Sequence, residues 1–491
     1  MSRTTRVAVG IIGAGLALGV WADVLFYGRP LGLNVLLWTS GFVAALAALL
    51  HLAHAPLHQG RRWMLLPLVA FSAAFLWRDG ELLLAANLLA IAGAVTLGAL
   101  RRNGAPVRSA PMSEYAAGFL AAGCSAVAGG IRLLQRDVDW ENVGGSIRNE
   151  RFATVGRGIA LGLPLVALFG GLFMAADAVF RGLVTGIVPP FEDAPQHGVF
   201  LVVAAWLTAG LLRDLLAARE GDRILSPAAV SEKAAPSVLG AGEVAVALGA
   251  LNLLFLAFVA VQFRYLFGGE DLVQAQAGLT YAEYARHGFF ELVAVSVLVL
   301  VVLLGADALV THSHGRALRV VRLLSAGLVG LVFIVMASAL QRMYLYQEVY
   351  GLTELRVYVT GTIFWLAAVF VWFSLTVLRG RRRRFATGAV IAGFAATAAL
   401  NVVNPDALIA RTNLDRPRVD VAYVATLSDA AVPTLLEQLP TLRPDLRRVL
   451  AIELLERSER EDDWRSFNLS RSRAQALLDE HRDELVAFAS S

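Results

Sequence analysis

The chain has 491 residues, 57% of them hydrophobic and 17% charged, with a formal net charge of +4 and a mean hydropathy of +0.62. A soluble domain carries about 25% charged residues, so this composition excludes one and specifies a multi-spanning membrane protein. The single cysteine, Cys124, excludes an internal disulfide and a cysteine metal cluster.

An apolar run of about twenty residues is enough to cross the hydrocarbon core as a helix. Val7 to Phe26 is the first such run. It opens VGIIGAGLALG, which imitates a dinucleotide-binding glycine fingerprint, but the spacing of Gly13, Gly15 and Gly19 is one residue too long. A second apolar run follows where a strand should be. The glycines therefore read as small residues that let helices approach closely. No small-x-small cleavage site follows the run, so it reads as an uncleaved signal anchor.

Leu31 to Leu52, a shorter run from Trp63 to Trp77, and Leu82 to Leu100 come next. Between the second and third lies HLAHAPLHQGRR, whose His51, His54 and His58 are interrupted by Pro56 and have no carboxylate or cysteine nearby; they read as interfacial histidines, and no metal or other cofactor is expected. Tyr115 to Leu134 has the length of a span but is rich in Ala, Gly and Ser and leads into a charged linker at 135–157, so it reads as a helix on or shallowly in the interface. Further spans follow at Gly158 to Phe180, Val199 to Leu216, Val238 to Phe263, Gly288 to Leu309, Leu323 to Met343, Val357 to Leu378 and Phe385 to Val403. The sequence thus predicts an all-α, polytopic bundle of about eleven crossings over residues 1–403.

Cytoplasmic loops carry an excess of Lys and Arg. Arg3 and Arg6, Arg61 and Arg62, Arg101 and Arg102, Arg213 and Arg219, Arg316 to Arg322, and Arg379 to Arg384 fall on alternate loops, provided Tyr115 to Leu134 does not cross. The expectation is a protein of the bacterial cytoplasmic membrane with its N-terminus cytoplasmic and its C-terminus outside. The tail at 404–491 holds 16 acidic and 12 arginine side chains, a net of −4 that leaves +8 for the remainder. Two helices are expected in it, one after Pro444 and one capped by Ser470 with Ala474, Leu477, Leu478 and Leu485 on one side. Such a tail is either a small domain or a docked appendage.

On that topology the polar clusters converge on the outer face. They are YGRPLGLN at 27–34, WRDGE at 77–81, QRMYLYQEVYGLTELRVY at 341–358, NVVNPDALIARTN at 401–413 and the central stretch from Gln262 to Leu292. An aromatic belt with snorkelling arginines accounts for single Tyr and Arg residues. It does not require interleaved acids, and ionised groups near span ends pair or line a wet cavity. The candidate ligand-binding residues are Arg264, Tyr265, Tyr281, Glu283, Tyr284, Arg286, Glu291, Arg342, Tyr346, Tyr350, Glu354 and Arg356. Asp23 and Asp177 join them from the similar surroundings WADVLF and AADAVF. Glu354 and Arg356 do not share a helix face, so their charge partners are expected elsewhere, for example at Arg264 or Glu291.

The words QFRYLFGG, TYAEYARHGFFEL, RMYLYQEVYGLTELRVY, NPDALIARTNLDR and DWRSFNLSRSRA resemble those of bacterial multi-pass membrane proteins of the domain-of-unknown-function 4173 type, with type 4153 as its neighbour. The resemblance covers most of the chain and implies a bacterial membrane protein, with no catalytic residues to carry over. GxSxG, HExxH, GxxxxGK[ST] and paired CxxC motifs are absent. No folded basic module supports nucleic-acid binding. What remains is a shallow outer site for a lipid, an envelope precursor or an anionic small molecule, with a solute transporter and a sensor or assembly partner as alternatives. The lipid bilayer is the one certain partner.

Overall fold

Two glycines decide how tightly the first helix packs. The computed structural model describes residues 3–55, 59–99, 112–138, 166, 194–216, 241–267, 289–310, 315–417, 419–458 and 463–490. Helix α1 (Arg3–Phe26) runs antiparallel to α6 (Ala194–Leu216). A Cβ on Gly19 would lie 2.6 Å from that of Ala205 and 2.8 Å from the Leu201 carbonyl, and one on Gly15 would lie 2.8 Å from the Cβ of Ala209. Gly15 and Gly19 thus form the close-packing face that the glycine run implies, whereas Gly13 faces open space.

The remaining bundle helices are α2 (Leu33–Leu52), α3 (Gln59–Ala74), α4 (Glu81–Ala99), α5 (Met112–Arg132), α7 (Ala241–Phe267), α8 (Phe289–Leu309), α9 (Arg316–Tyr350), α10 (Glu354–Thr376) and α11 (Phe385–Val403). They form two apolar cores. Ile11, Leu46, Met64, Leu68 and Leu212 centre the first, built by α1 to α4 and α6. Leu303, Leu328, Val332, Phe370 and Phe373 centre the second, built by α7 to α10. Helix α11 bridges the halves, packing on both α4 and α10. There Asn87 and Asn401, both buried, exchange side-chain hydrogen bonds of 3.2 and 2.8 Å. Such a pair satisfies amides that hydrocarbon would leave unpaired.

Nine helices among the described residues are long and apolar enough to cross a membrane. Two of the eleven expected crossings account for the difference. Helix α3 contains Pro67 and is short, and Gly158 to Phe180 lies outside the described residues. Helix α9 extends the expected span at both ends to 35 residues, about 52 Å against a hydrocarbon core of about 30 Å. It therefore carries QRMYLYQEVY beyond the apolar layer.

Helix α5 enters beside the start of α11, where the hydroxyls of Tyr115 and Thr387 are 3.0 Å apart. It packs on α6 with Gly129 against Gly210, then widens into a π turn at Leu133–Asp137. Leu133 and Val138 join the core beside Val7 and Ala8. Both ends of this segment thus lie at the same end of the bundle. The starts of α1, α9 and α11 are there too, and Arg3, Arg6, Arg316, Arg319, Arg322 and Arg379 to Arg384 with them. We call this the arginine end.

The other end is covered by the tail, α12 (Pro405–Leu414), α13 (Val421–Ala425), α14 (Val432–Gln438), α15 (Pro444–Ser458), α16 (Leu469–Glu480) and α17 (Arg482–Ser490). It has its own core of Ile409, Val424, Leu435, Leu450, Leu478 and Leu485, against which Leu352 and Val357 of the bundle pack. Asn468, rather than Ser470, caps α16, accepting from Ser470 N and Arg471 N. Ser470 instead donates its hydroxyl to the Trp77 carbonyl at 2.7 Å.

Candidate functional site

The tail is seated by backbone groups that the bundle's turns leave open. In the turn between α1 and α2, the buried Asn34 amide accepts from Gly32 N at 2.7 Å and donates to the Leu25 and Pro30 carbonyls. Its neighbour Gly32 has no side chain, and a Cβ there would lie 2.4 Å from the Ser466 carbonyl. Leu33 N can then reach the Phe467 carbonyl at 2.9 Å. At the turn between α3 and α4, Asn468 donates to the carbonyls of Phe75 at 2.7 Å and Arg78 at 3.0 Å. Arg465 chelates Asp463 and also donates to the Val24 carbonyl. Those hydrogen bonds, with the Arg465 N–H and the nearby Arg29, hold the Asp463 carboxyl well below the usual carboxylate range.

Asp79 reaches across the interface to the backbone N–H groups of Asp429 and Ala430, at 3.0 and 3.2 Å. Burial pushes its carboxyl up to about 6, the negative charge of Asp429 adds to that, and the two N–H bonds partly offset it. Gly80 follows because a Cβ there would lie 2.9 Å from Asp406 Oδ2. Asp406, 3% exposed, takes the Ser428 hydroxyl on Oδ2. The Glu354 carboxyl lies against it and shares a hydrogen bond with it. The Glu354 N–H donates to the Tyr423 hydroxyl at 2.9 Å.

These residues border a chamber of about 980 Å³ between the end of the bundle and the tail. Asp79, Glu81, Glu354, Asp429, Glu453 and Glu456 contribute carboxyl groups to its wall, against the guanidinium groups of Arg457 and Arg471. Both arginines already donate to protein oxygens: Arg457 to Asp429 and to the Ala425 and Leu427 carbonyls, Arg471 to the Leu31 and Ser466 carbonyls. The lining is acidic. Two carboxyl groups in contact, as at Glu354 and Asp406, can hold a proton or a cation between them. Among the described residues no three His, Cys, Asp or Glu side chains are placed to hold a metal ion.

Of the residues singled out from sequence whose side chains the structure describes, Glu354 alone lines this chamber. Arg356 donates to the Gly351 carbonyl and lies 4.1 Å over the Tyr346 ring, which meets Tyr350 edge-on at 5.0 Å. Arg356 thus serves the turn between α9 and α10, and among the described residues it forms no ion pair of the kind expected. Arg342 lies on α9 two helical turns before Tyr350. Asp23 forms a separate cluster, 2.9 Å from His197 Nδ1, with the His197 ring 3.7 Å from that of Tyr27. Asp177, Tyr281, Glu283, Tyr284 and Arg286 lie outside the described residues, as do the side chains of Arg264, Tyr265 and Glu291.

The family model described as Domain of unknown function (DUF4153) matches residues 65–438. The chain belongs to the DUF4153 family. Type 4153, the neighbour of the 4173 type that the sequence resembles first, is thus the one that matches. No curated protein and no solved structure matches the chain. In this DUF4153 protein the match runs past Val403 through α12 and α13 to the end of α14. It therefore covers Asp79, Glu354, Asp406, Ser428 and Asp429 together, from both the bundle and the tail.

Sequence reasoning placed WRDGE and NPDALIARTN at one common end, where the structure also brings them together, but passed over Asp79 and Asp406 within them. A carboxyl beside a glycine that the tail must approach was the available signal at Asp79. Glu453, Glu456 and Arg457 gave none, since they sit in a charged helix that reads as solvated.

Proposed function

We propose that this integral membrane protein takes up a lipid or envelope precursor at headgroup depth, on the extracytoplasmic side of the cell membrane. The chamber carries this reading. It is large enough for a headgroup, it lies at the ends of the spans, and it is roofed by the tail while its floor is the α4 and α10 starts. The side assignment follows from the exposed arginines at the opposite end. An anionic small molecule is the least favoured occupant, because carboxyl groups outnumber guanidinium groups on the wall. A solute transporter requires a polar route onward, and no charged side chain lines the groove beneath the chamber.

Two measurements test the reading. With Cys124 replaced by Ala, a single cysteine at the exposed Glu456 is labelled in intact cells by a thiol reagent that cannot cross the membrane; labelling only after permeabilisation reverses the side. Native mass spectrometry of the full chain, extracted in mild detergent, detects a co-purifying lipid or precursor. A Leu427→Trp variant, filling the chamber, releases it. Equal retention by that variant rules out the chamber as the site.

A further inference from the structure

The chamber and a second, apolar cavity share two helices. On α4, Glu81 and Leu84 line the chamber, and Ala86, Leu89 and Ala90, farther along the helix, line a groove of about 960 Å³. On α10, Glu354 lines the chamber, and Tyr358, Gly361 and Trp365 continue into the groove. Residues 354, 358, 361 and 365 repeat at helical spacing, so they form one stripe from the polar end into the bundle. Tyr358 marks the junction, since it lies within electrostatic reach of both Glu354 and Asp406 while lining the groove. Helix α11 forms the groove's floor, at the seam between the two halves of the bundle.

The two cavities make different demands on an occupant. Above, the wall offers acceptors: six carboxyl groups line the chamber, and behind them the buried Asp406 meets Glu354. A group carrying N–H donors and a positive charge satisfies them, whereas an anion meets like charge. Below, the groove is walled by Ala, Gly, Leu and aromatic side chains at bilayer depth, which suits a hydrocarbon chain.

Building on the lipid-handling reading above, we propose that the ligand is an amine-headed lipid. Its ammonium group sits beside Glu354, within reach of Glu81 and Asp406, and one hydrocarbon chain lies in the groove between α4, α10 and α11.

The test uses the full chain in phosphatidylcholine nanodiscs doped with photoactivatable, diazirine-acyl phosphatidylethanolamine, phosphatidylglycerol or phosphatidylcholine, with crosslinked peptides mapped by mass spectrometry. The ethanolamine probe is expected to label the 81–99, 354–376 and 385–403 peptides about fivefold more than the glycerol probe, a preference near 1 kcal/mol. Glu354→Gln combined with Glu81→Gln is expected to abolish that preference while chain labelling persists. Gly361→Leu and Gly393→Leu, whose added atoms enter the groove, are expected to reduce labelling for every probe. Equal labelling by all three probes would show a groove filled by any bilayer lipid and overturns the proposal, as does a preference unchanged in the carboxyl double variant. Should that variant fail to fold, Glu354→Gln alone takes its place, with the preference expected to fall. Binding of glycerophosphoethanolamine, the headgroup without chains, separates the two readings. If it binds as tightly as the lipid and Gly361→Leu has no effect, the lipid assignment falls and the outer site stands. If neither headgroup nor lipid is retained, both fall.

Discussion

The two ends of the bundle treat charge in opposite ways. At the arginine end, Arg381 to Arg384 are exposed, and the pair Arg213 with Asp137 is sunk in the bundle with side chains 3% and 4% exposed. At the tail end carboxyl groups are gathered under a roof, and Glu354 and Asp406 lie against each other. Solvated charge costs little and sets orientation. Enclosed charge requires a partner, and the protein supplies it in the sunken pair and leaves carboxyl groups in excess at the tail end.

The largest expected effect breaks the sunken pair. Arg213→Leu leaves Asp137 buried and alone, and should lower the unfolding free energy in detergent by about 3 to 5 kcal/mol. Pairing it with Asp137→Leu should recover most of the loss; a double variant as unstable as the single one would show that the arginine acts through its packing.

At the tail end, Asn468→Ala removes the cap of α16 and two hydrogen bonds to the bundle. The expected cost is about 2 to 3 kcal/mol, read as faster amide exchange over 463–490 with the bundle's helices unchanged. Exchange that rises evenly over the whole chain would mean the tail and bundle unfold as one unit.

Gly19→Ala should destabilise by about 1 to 3 kcal/mol, since its Cβ meets the Leu201 carbonyl. Gly13→Ala, with open space around it, should be neutral or stabilising by up to about 1 kcal/mol. Similar losses at both positions would remove the distinction between packing and spacer glycines.

A smaller effect comes from Asp79. Its folded pKa of about 6 lies above the unfolded value of about 3.9, so the folded state holds a proton that the unfolded chain releases. The resulting stability is complete below the unfolded pKa and is lost as pH rises through 6. Between pH 7 and pH 5 Asp79 should contribute a gain of about 1 kcal/mol, measured by thermal unfolding in both buffers. In Asp79→Asn the difference between the two buffers should shrink by that amount.

Membrane class, span positions and the alternation of arginine loops are all visible in the sequence, because each is a property of one continuous run: about twenty apolar residues, or a cluster of guanidinium groups at a span end. The close-packing role of Gly15 and Gly19 was visible for the same reason. The chamber was not. Asp79 finds its donors at Asp429 and Ala430, Asp406 meets Glu354 and Ser428, and Asn87 meets Asn401, each pair brought together from segments whose local patterns say nothing of one another. The charged helix carrying Glu453, Glu456 and Arg457 reads as an ordinary solvated helix until it is laid over the ends of α4 and α10. Helix periodicity determines which side chains share a face; only the folded chain decides which face is closed over another, and so which carboxyl groups lose their water.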